Sequence, residues 1–238
     1  MNFDFSPEML RGILIAIPGI LIAVTYHEAA HAWMADKCGD HTARSLGRVS
    51  ANPLRHVDPI GTIIVPLLLY MTSGFVFGWA KPVPVVESNF HKPRRDMILT
   101  ALAGPVTNFG LALLCTSLYH ILLLIPQGPW SEWLEPILLA AQVAVFINVL
   151  LGVFNMIPVP PLDGGRVAMG LLPPRQSIAL AKLERFGIII VIALLLFPPT
   201  RMVFGIVFSV INIVFIQVIP NLRVTVLNWL AEMIHRLI

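Results

Sequence analysis

The chain has 238 residues, 57% of them hydrophobic and 12% charged, with a mean hydropathy of +0.82. That is about half the charge of an ordinary soluble domain, so a water-soluble globule is excluded and an integral membrane protein, packed helix on helix in lipid, is implied. The formal net charge of +3 is spread through loops between apolar runs, with no basic block or helix face, which argues against a nucleic-acid partner.

Apolar runs extend over roughly 11–35, 60–79, 97–125, 134–157, 178–197 and 201–219, against about 20 residues for a spanning helix. The expected fold is therefore an all-α integral membrane protein with five to six transmembrane or re-entrant segments, forming one polytopic domain over 1–220. The first run follows Asp4 and Glu8 and carries ionisable residues, unlike a cleaved signal peptide, so the chain is expected to anchor itself. Residues 198–200, Pro-Pro-Thr, make the last two runs a tight hairpin. From 221 to 238 the pattern turns mixed, with Arg223, Trp229, Glu232, His235 and Arg236, as in an interfacial amphipathic tail.

Lys and Arg crowd into three loops, 36–59, 80–96 and 158–185, while 126–135 holds only Glu132 and Glu135 as charges. The positive-inside rule puts the first three on the cytosolic side of a cell membrane. The 60–79 run must then enter and leave on one side, as a re-entrant segment, and Pro66, Gly74 and Gly78 interrupt it suitably. After it, residues 79–86 read Trp-Ala-Lys-Pro-Val-Pro-Val-Val, a Pro-containing pattern suited to an edge strand, so a small β-like segment is expected there; a simple Pro-rich turn fits equally.

The first run contains His27-Glu28-Ala29-Ala30-His31, three ionisable residues where a membrane helix normally tolerates none. Residues four apart share a helix face, so His27 and His31 present two imidazoles to one cation, with Glu28 one residue round and within reach of water there. A catalytic zinc takes three protein ligands and leaves a position open. His41, His56, Asp36, Asp58 and Glu87 lie in polar loops and read as solvated. Asp163 stands apart: it follows Pro158, Pro160 and Pro161 and precedes Gly164-Gly165, a broken helix end that carries a carboxylate. Such an aspartate serves either as an N-cap or as an oxygen ligand, and the histidine pair favours the ligand. Cys38 and Cys115 have no partner spacing and are expected to pack.

The H-E-x-x-H of the first run, Asn155-x-x-Pro-x-x-Pro-Leu-Asp-Gly-Gly over 155–165, and Ala103-Gly104-Pro105-Val106-Thr107-Asn108 between them resemble the site-2 protease family of intramembrane zinc metalloproteases, in its short form without a PDZ domain. The resemblance covers roughly 20–175, and the expected catalytic core is about 10–175. It implies one catalytic Zn2+ held by His27, His31 and Asp163, Glu28 as general base, and Asn155 orienting substrate or stabilising the oxyanion. It also implies transmembrane protein substrates cleaved in or near the bilayer; the charge of the flanking loops puts the site towards the cytosolic side, and the sequence leaves an oligomer open. His56 falls in a segment typical of the short form, without a defined role.

Other readings stand beside this one. A metal-ion transporter would use the same His, Glu and Asp, yet no paired repeat is visible and the polar groups converge at one depth. A non-catalytic scaffold would not need all four. Gly104 and Asn108 read first as close helix packing and an interhelical hydrogen bond. His91, His120 and His235 lack partners at ligand spacing, and Arg166 reads as a snorkelling helix-end arginine.

Overall fold

The computed structural model describes residues 7–73, 78–126, 128–129 and 131–196; the end of the expected hairpin, the tail over 221–238 and Gly74 lie outside them. The described residues are all-helical. The elements are α1 (Pro7–Lys37), α2 (Thr42–Ser45), α3 (Val65–Ser73), α4 (Pro93–Leu123), α5 (Ser131–Asn155), α6 (Asp163–Leu171), α7 (Pro174–Ala181) and α8 (Gly187–Leu196). Three of these, α1, α4 and α5, are long and apolar enough to cross a membrane.

Helix ends follow the local chemistry. Pro93 opens α4, and the Asp96 carboxylate accepts the Lys92 N–H at 2.7 Å, which satisfies a donor the first turn leaves free. Helix α5 stops at Asn155 because Pro158 and Pro160 cannot continue it. The expected 178–197 run is broken: Lys182, Glu184 and Arg185 fall in a turn between α7 and α8, so the apolar stretch starts at Gly187. Charge, which the window over 178–197 averaged out, sets that boundary.

The three long helices pack mutually, with Ala112, Tyr119, Val145, Phe146 and Val149 in the buried seam of α4 and α5. At Gly19, a Cβ would lie 3.1 Å from Ala144 Cα, so α1 and α5 touch backbone to backbone. Small residues permit that approach, which is how helices gain packing energy in lipid. Arg11 pairs with Glu135 at 3.3 Å at one end. At the other end the three basic loops gather: the His91 N–H donates to Cys38 O at 3.0 Å, and the Arg94 guanidinium donates to the Leu172 carbonyl.

The two ends of the 60–79 run meet. The Trp79 N–H donates to Gly61 O at 3.0 Å, and the Thr62 hydroxyl donates to Trp79 O at 2.9 Å. Glycine is required at the crossing, since a Cβ on Gly61 would fall 2.3 Å from the Trp79 indole nitrogen and one on Gly78 would fall 2.3 Å from Gly61 O. The Asp58 carboxylate starts the segment by accepting from the N–H groups of Ile60 and Gly61. Residues 79–86 then run without helix or a partner strand; no strand occurs among the described residues.

Asp40, fully buried, ties this segment to the end of α1. Its carboxylate accepts from the Thr42 hydroxyl, the Asn89 amide at 3.0 Å and the Val86 N–H at 2.7 Å. Burial pushes its pKa up, but these donors outweigh burial and hold the carboxyl below its usual range. Asp40→Asn is expected to cost about 2 kcal/mol at neutral pH. Because the folded pKa is depressed, that advantage is complete above the unfolded value of about 3.9 and is lost as pH falls below it. Melts of the detergent-solubilised chain should show a constant gap between wild type and variant from about pH 7 to pH 5, narrowing below about pH 4.

Candidate metal centre

Helix α1 carries His27 and His31 one turn apart, both buried, with ring centroids 4.6 Å apart and nearly perpendicular planes. Their Nε2 atoms are 3.0 Å apart, and each lies 3.2 Å from Asp163 Oδ2. Helix α4 fixes both rings from behind. The His27 Nδ1 contacts Asn108 Oδ1 at 2.6 Å, and the His31 Nδ1 contacts the Thr100 carbonyl at 2.7 Å. Both partners are acceptors there, because the Asn108 amide nitrogen donates to Ala23 O at 3.1 Å and to Asn148 Oδ1 at 2.9 Å. Asn148 completes the chain by donating to Ala144 O at 2.8 Å.

This polar chain decides the tautomers. Each Nδ1 carries the proton, so each Nε2 presents a lone pair. Asp163 Oδ2 is itself buried without a hydrogen-bond donor. Three acceptor atoms therefore face one another at about 3 Å with no proton between them, which is repulsive unless a cation sits among them. A tetrahedral zinc with bonds of about 2.0–2.1 Å spaces its ligand atoms roughly 3.3 Å apart, close to the separations seen. The donor set fits a divalent metal.

The backbone that delivers Asp163 is tightly folded. A Cβ on Gly164 would lie 2.3 Å from Met156 O, and one on Gly165 would lie 2.4 Å from Pro160 N, so α6 starts pressed against the turn that ends α5. Asp163 opens α6 without capping it, and its carboxylate turns to the histidines. Of its two sequence readings, the cap is thus not the one adopted. Gly104 completes the fit: a Cβ there would fall 2.4 Å from His31 Nε2 and 2.6 Å from His27 Cε1.

Glu28 is half-buried beside the cluster, and its Oε2 accepts the Val83 N–H at 3.2 Å. A cavity of about 340 Å³ opens there, lined by His27, His31, Glu28, Asp163, Asn155 and Val83 among others. Asn155 reaches it, although its amide nitrogen donates to Leu151 O at 3.0 Å in its own helix. The remaining polar candidates stay apart from the triad. Asp36 is buried, not solvated, between His41 at 2.8 Å and Arg44 at 2.6 Å. His56, expected in solvent, is 1% exposed and contacts Ser50 O at 2.8 Å. Asp58 is spent on its turn. Glu87 lines the cavity, as does Arg166, which pairs with Glu184 at 3.5 Å.

Thr100, Asn148 and Arg48 were not singled out in the sequence. For Thr100 a signal exists: 100, 104 and 108 recur every four residues, one stripe of α4, which faces the histidines. Asn148 and Arg48 carry no such signal.

The family description Peptidase family M50 matches residues 125–198. The provisionally named zinc metalloprotease YwhC of Bacillus subtilis is 36% identical over 200 residues, covering 83% of this chain and 86% of its own. Relatives provisionally named zinc metalloprotease Rip2 are 29% identical, over 78% of this chain and 68% of theirs in Mycolicibacterium smegmatis, and over 85% and 75% in Mycobacterium tuberculosis. No solved structure matches the chain significantly. The chain belongs to peptidase family M50, the site-2 protease family.

Two substitutions test the supports of the cluster. Asn108→Leu frees the His27 ring to turn and should weaken metal affinity by about 10- to 100-fold, measured by competition with a chelator. Gly104→Ala should lower the metal content of the purified chain, since its Cβ must displace an imidazole.

Proposed function

We propose that this chain is an intramembrane zinc endopeptidase that hydrolyses peptide bonds of membrane-embedded or membrane-proximal proteins. One observation carries the reading: two histidine lone pairs and the Asp163 carboxylate converge on one point, with the Glu28 carboxylate beside them in the same cavity. Family membership and the relatives named as zinc metalloproteases support zinc as the ion.

His27, His31 and Asp163 would hold the metal. Bound there, zinc would supply Lewis acidity to a water and to a peptide carbonyl. Glu28 takes the proton from the attacking water and delivers it to the leaving amine. The donor from Val83 engages one Glu28 oxygen and leaves the other for the water. Asn155 retains an amide hydrogen beyond the one on Leu151 O and offers it to the developing oxyanion.

A helical substrate must unwind before its carbonyls can be attacked, and residues 82–86 supply a template for the extended form. Among the described residues the Val83 carbonyl and both backbone groups of Val85 make no hydrogen bond, and both residues line the cavity. A substrate strand pairs there by backbone hydrogen bonds.

The membrane arrangement belongs to the same proposal. The site lies about 10 Å inside the end of the bundle, counting from Lys37 back to His31 and from Pro93 in to Thr100. That is the end where the basic loops gather, so the site opens to the cytosolic side of the cell membrane and 60–79 re-enters from it. The domain runs over 1–220, with its core at about 10–175. A transporter would extend polar contacts beyond the site, whereas the Asn108–Asn148 chain ends on Ala144 O inside the bundle.

Purified wild type, Glu28→Gln and His27→Ala, each tested on single-span substrates with metal content measured, check the reading. Glu28→Gln should keep its zinc and lose cleavage by at least about a thousandfold; His27→Ala should lose both. Equal cleavage by wild type and Glu28→Gln would overturn the base role, and zinc flux into liposomes surviving Glu28→Gln would favour a carrier.

A further inference from the structure

Arg48 is a buried arginine, 5% exposed, with no carboxylate at ion-pair distance among the described residues and with its Nε unpartnered. Taking a guanidinium out of water is unfavourable unless hydrogen bonds or an opposite charge compensate it. What it holds is backbone. Its Nη1 donates to Pro82 O at 3.3 Å and its Nη2 to Lys81 O at 2.5 Å. The other side of Lys81 is held too, because its N–H donates to His56 O at 2.9 Å. His56 is itself fixed by its ring on Ser50 O at 2.8 Å, and its second ring nitrogen lies 3.5 Å from Arg48.

The residue after this clamp is Val83. Because Pro82 and Pro84 flank it and lack an N–H, Val83 is the sole backbone donor over 82–84. That donor meets Glu28 Oε2 at 3.2 Å. One connected path thus runs from a buried cation, through two carbonyls and one N–H, to the carboxylate beside the metal cluster.

We propose that Arg48 is a positioning residue for the hydrolysis: its grip on the Lys81 and Pro82 carbonyls sets segment 81–83 so that the Val83 N–H orients Glu28. The proposal rests on the reading of Glu28 as general base. It also explains the burial of His56, which braces the same clamp and touches no metal-cluster atom.

Arg48→Met keeps the stem and removes the fork, and Arg48→Lys returns the charge with a single donor head. In the full-length protein, Arg48→Met should keep its zinc content and melting midpoint while kcat falls about 10- to 100-fold and KM moves less than about threefold. Arg48→Lys should recover part of kcat. A second measurement does not depend on cleavage. In a chain with Cys38 and Cys115 replaced by Ala, Val85→Cys should react several-fold faster with a maleimide once Arg48→Met is added. Wild-type kcat in Arg48→Met would overturn the proposal, as would zinc, melting midpoint and kcat falling together in both variants, or an unchanged labelling rate. A wild type inert on every substrate would instead defeat the hydrolase reading, and the labelling rate would still decide whether Arg48 holds the segment.

Discussion

Three acceptor atoms held about 3 Å apart inside a helix bundle are the constraint on which the rest of this structure depends. Left to themselves the His27 and His31 lone pairs and the Asp163 oxygen repel, and the bundle spends specific contacts to keep them together. Gly104 makes room where any side chain would collide with the imidazoles. Asn108, Asn148 and the Thr100 carbonyl lock both rings in the tautomer that points a lone pair inward. Gly164 and Gly165 let α6 start against the turn that ends α5, which brings the carboxylate in from a third direction.

Several other polar groups gather at the same end of the bundle as that cluster without joining it. Asp40, Asp58 and Asp96 each cap or clamp backbone donors in the loops at the same end of the bundle. Asp40 and Asp96 thereby hold residues 86–92, next to the stretch whose Pro82, Val83 and Val85 line the cavity. Arg48 and His56 hold the preceding residues, through the Lys81 and Pro82 carbonyls and the Lys81 N–H. The end of the molecule that carries the metal cluster is thus a loop layer pinned by buried and half-buried charges, resting on a scaffold of apolar helices that needs few of them. That division suits a protein whose helices face lipid, where an unpaired charge is costly.

Much of this was legible in advance. Runs of apolar residues announce α1, α4 and α5 because a spanning helix has no alternative way to satisfy its backbone, but 60–79 and 178–197 have the length of a span too, and length did not set them apart. The H-E-x-x-H pair was legible because helical spacing converts sequence distance directly into geometry. The last boundary was not: between 178 and 187 a hydropathy window averages Lys182, Glu184 and Arg185 into the apolar run that follows. His56 and Asp36 were misread as solvated because loop burial depends on which loops lie together, and that information is nonlocal.

By itself, then, the sequence determined the membrane habit, the three long helices, the histidine pair with its glutamate, and the proline-glycine break that presents Asp163, all consequences of local spacing and backbone chemistry. Only the tertiary structure decided that Asp163 turns to the histidines and does not cap α6, that Asn148 finishes the chain begun at His27, and that Arg48 reaches Glu28 through Val83. These relations join residues dozens of positions apart, by close contact at the metal cluster and by hydrogen bonds elsewhere. No local pattern encodes such a bond, because its geometry exists only once α1, α4, α5 and the loop layer have packed.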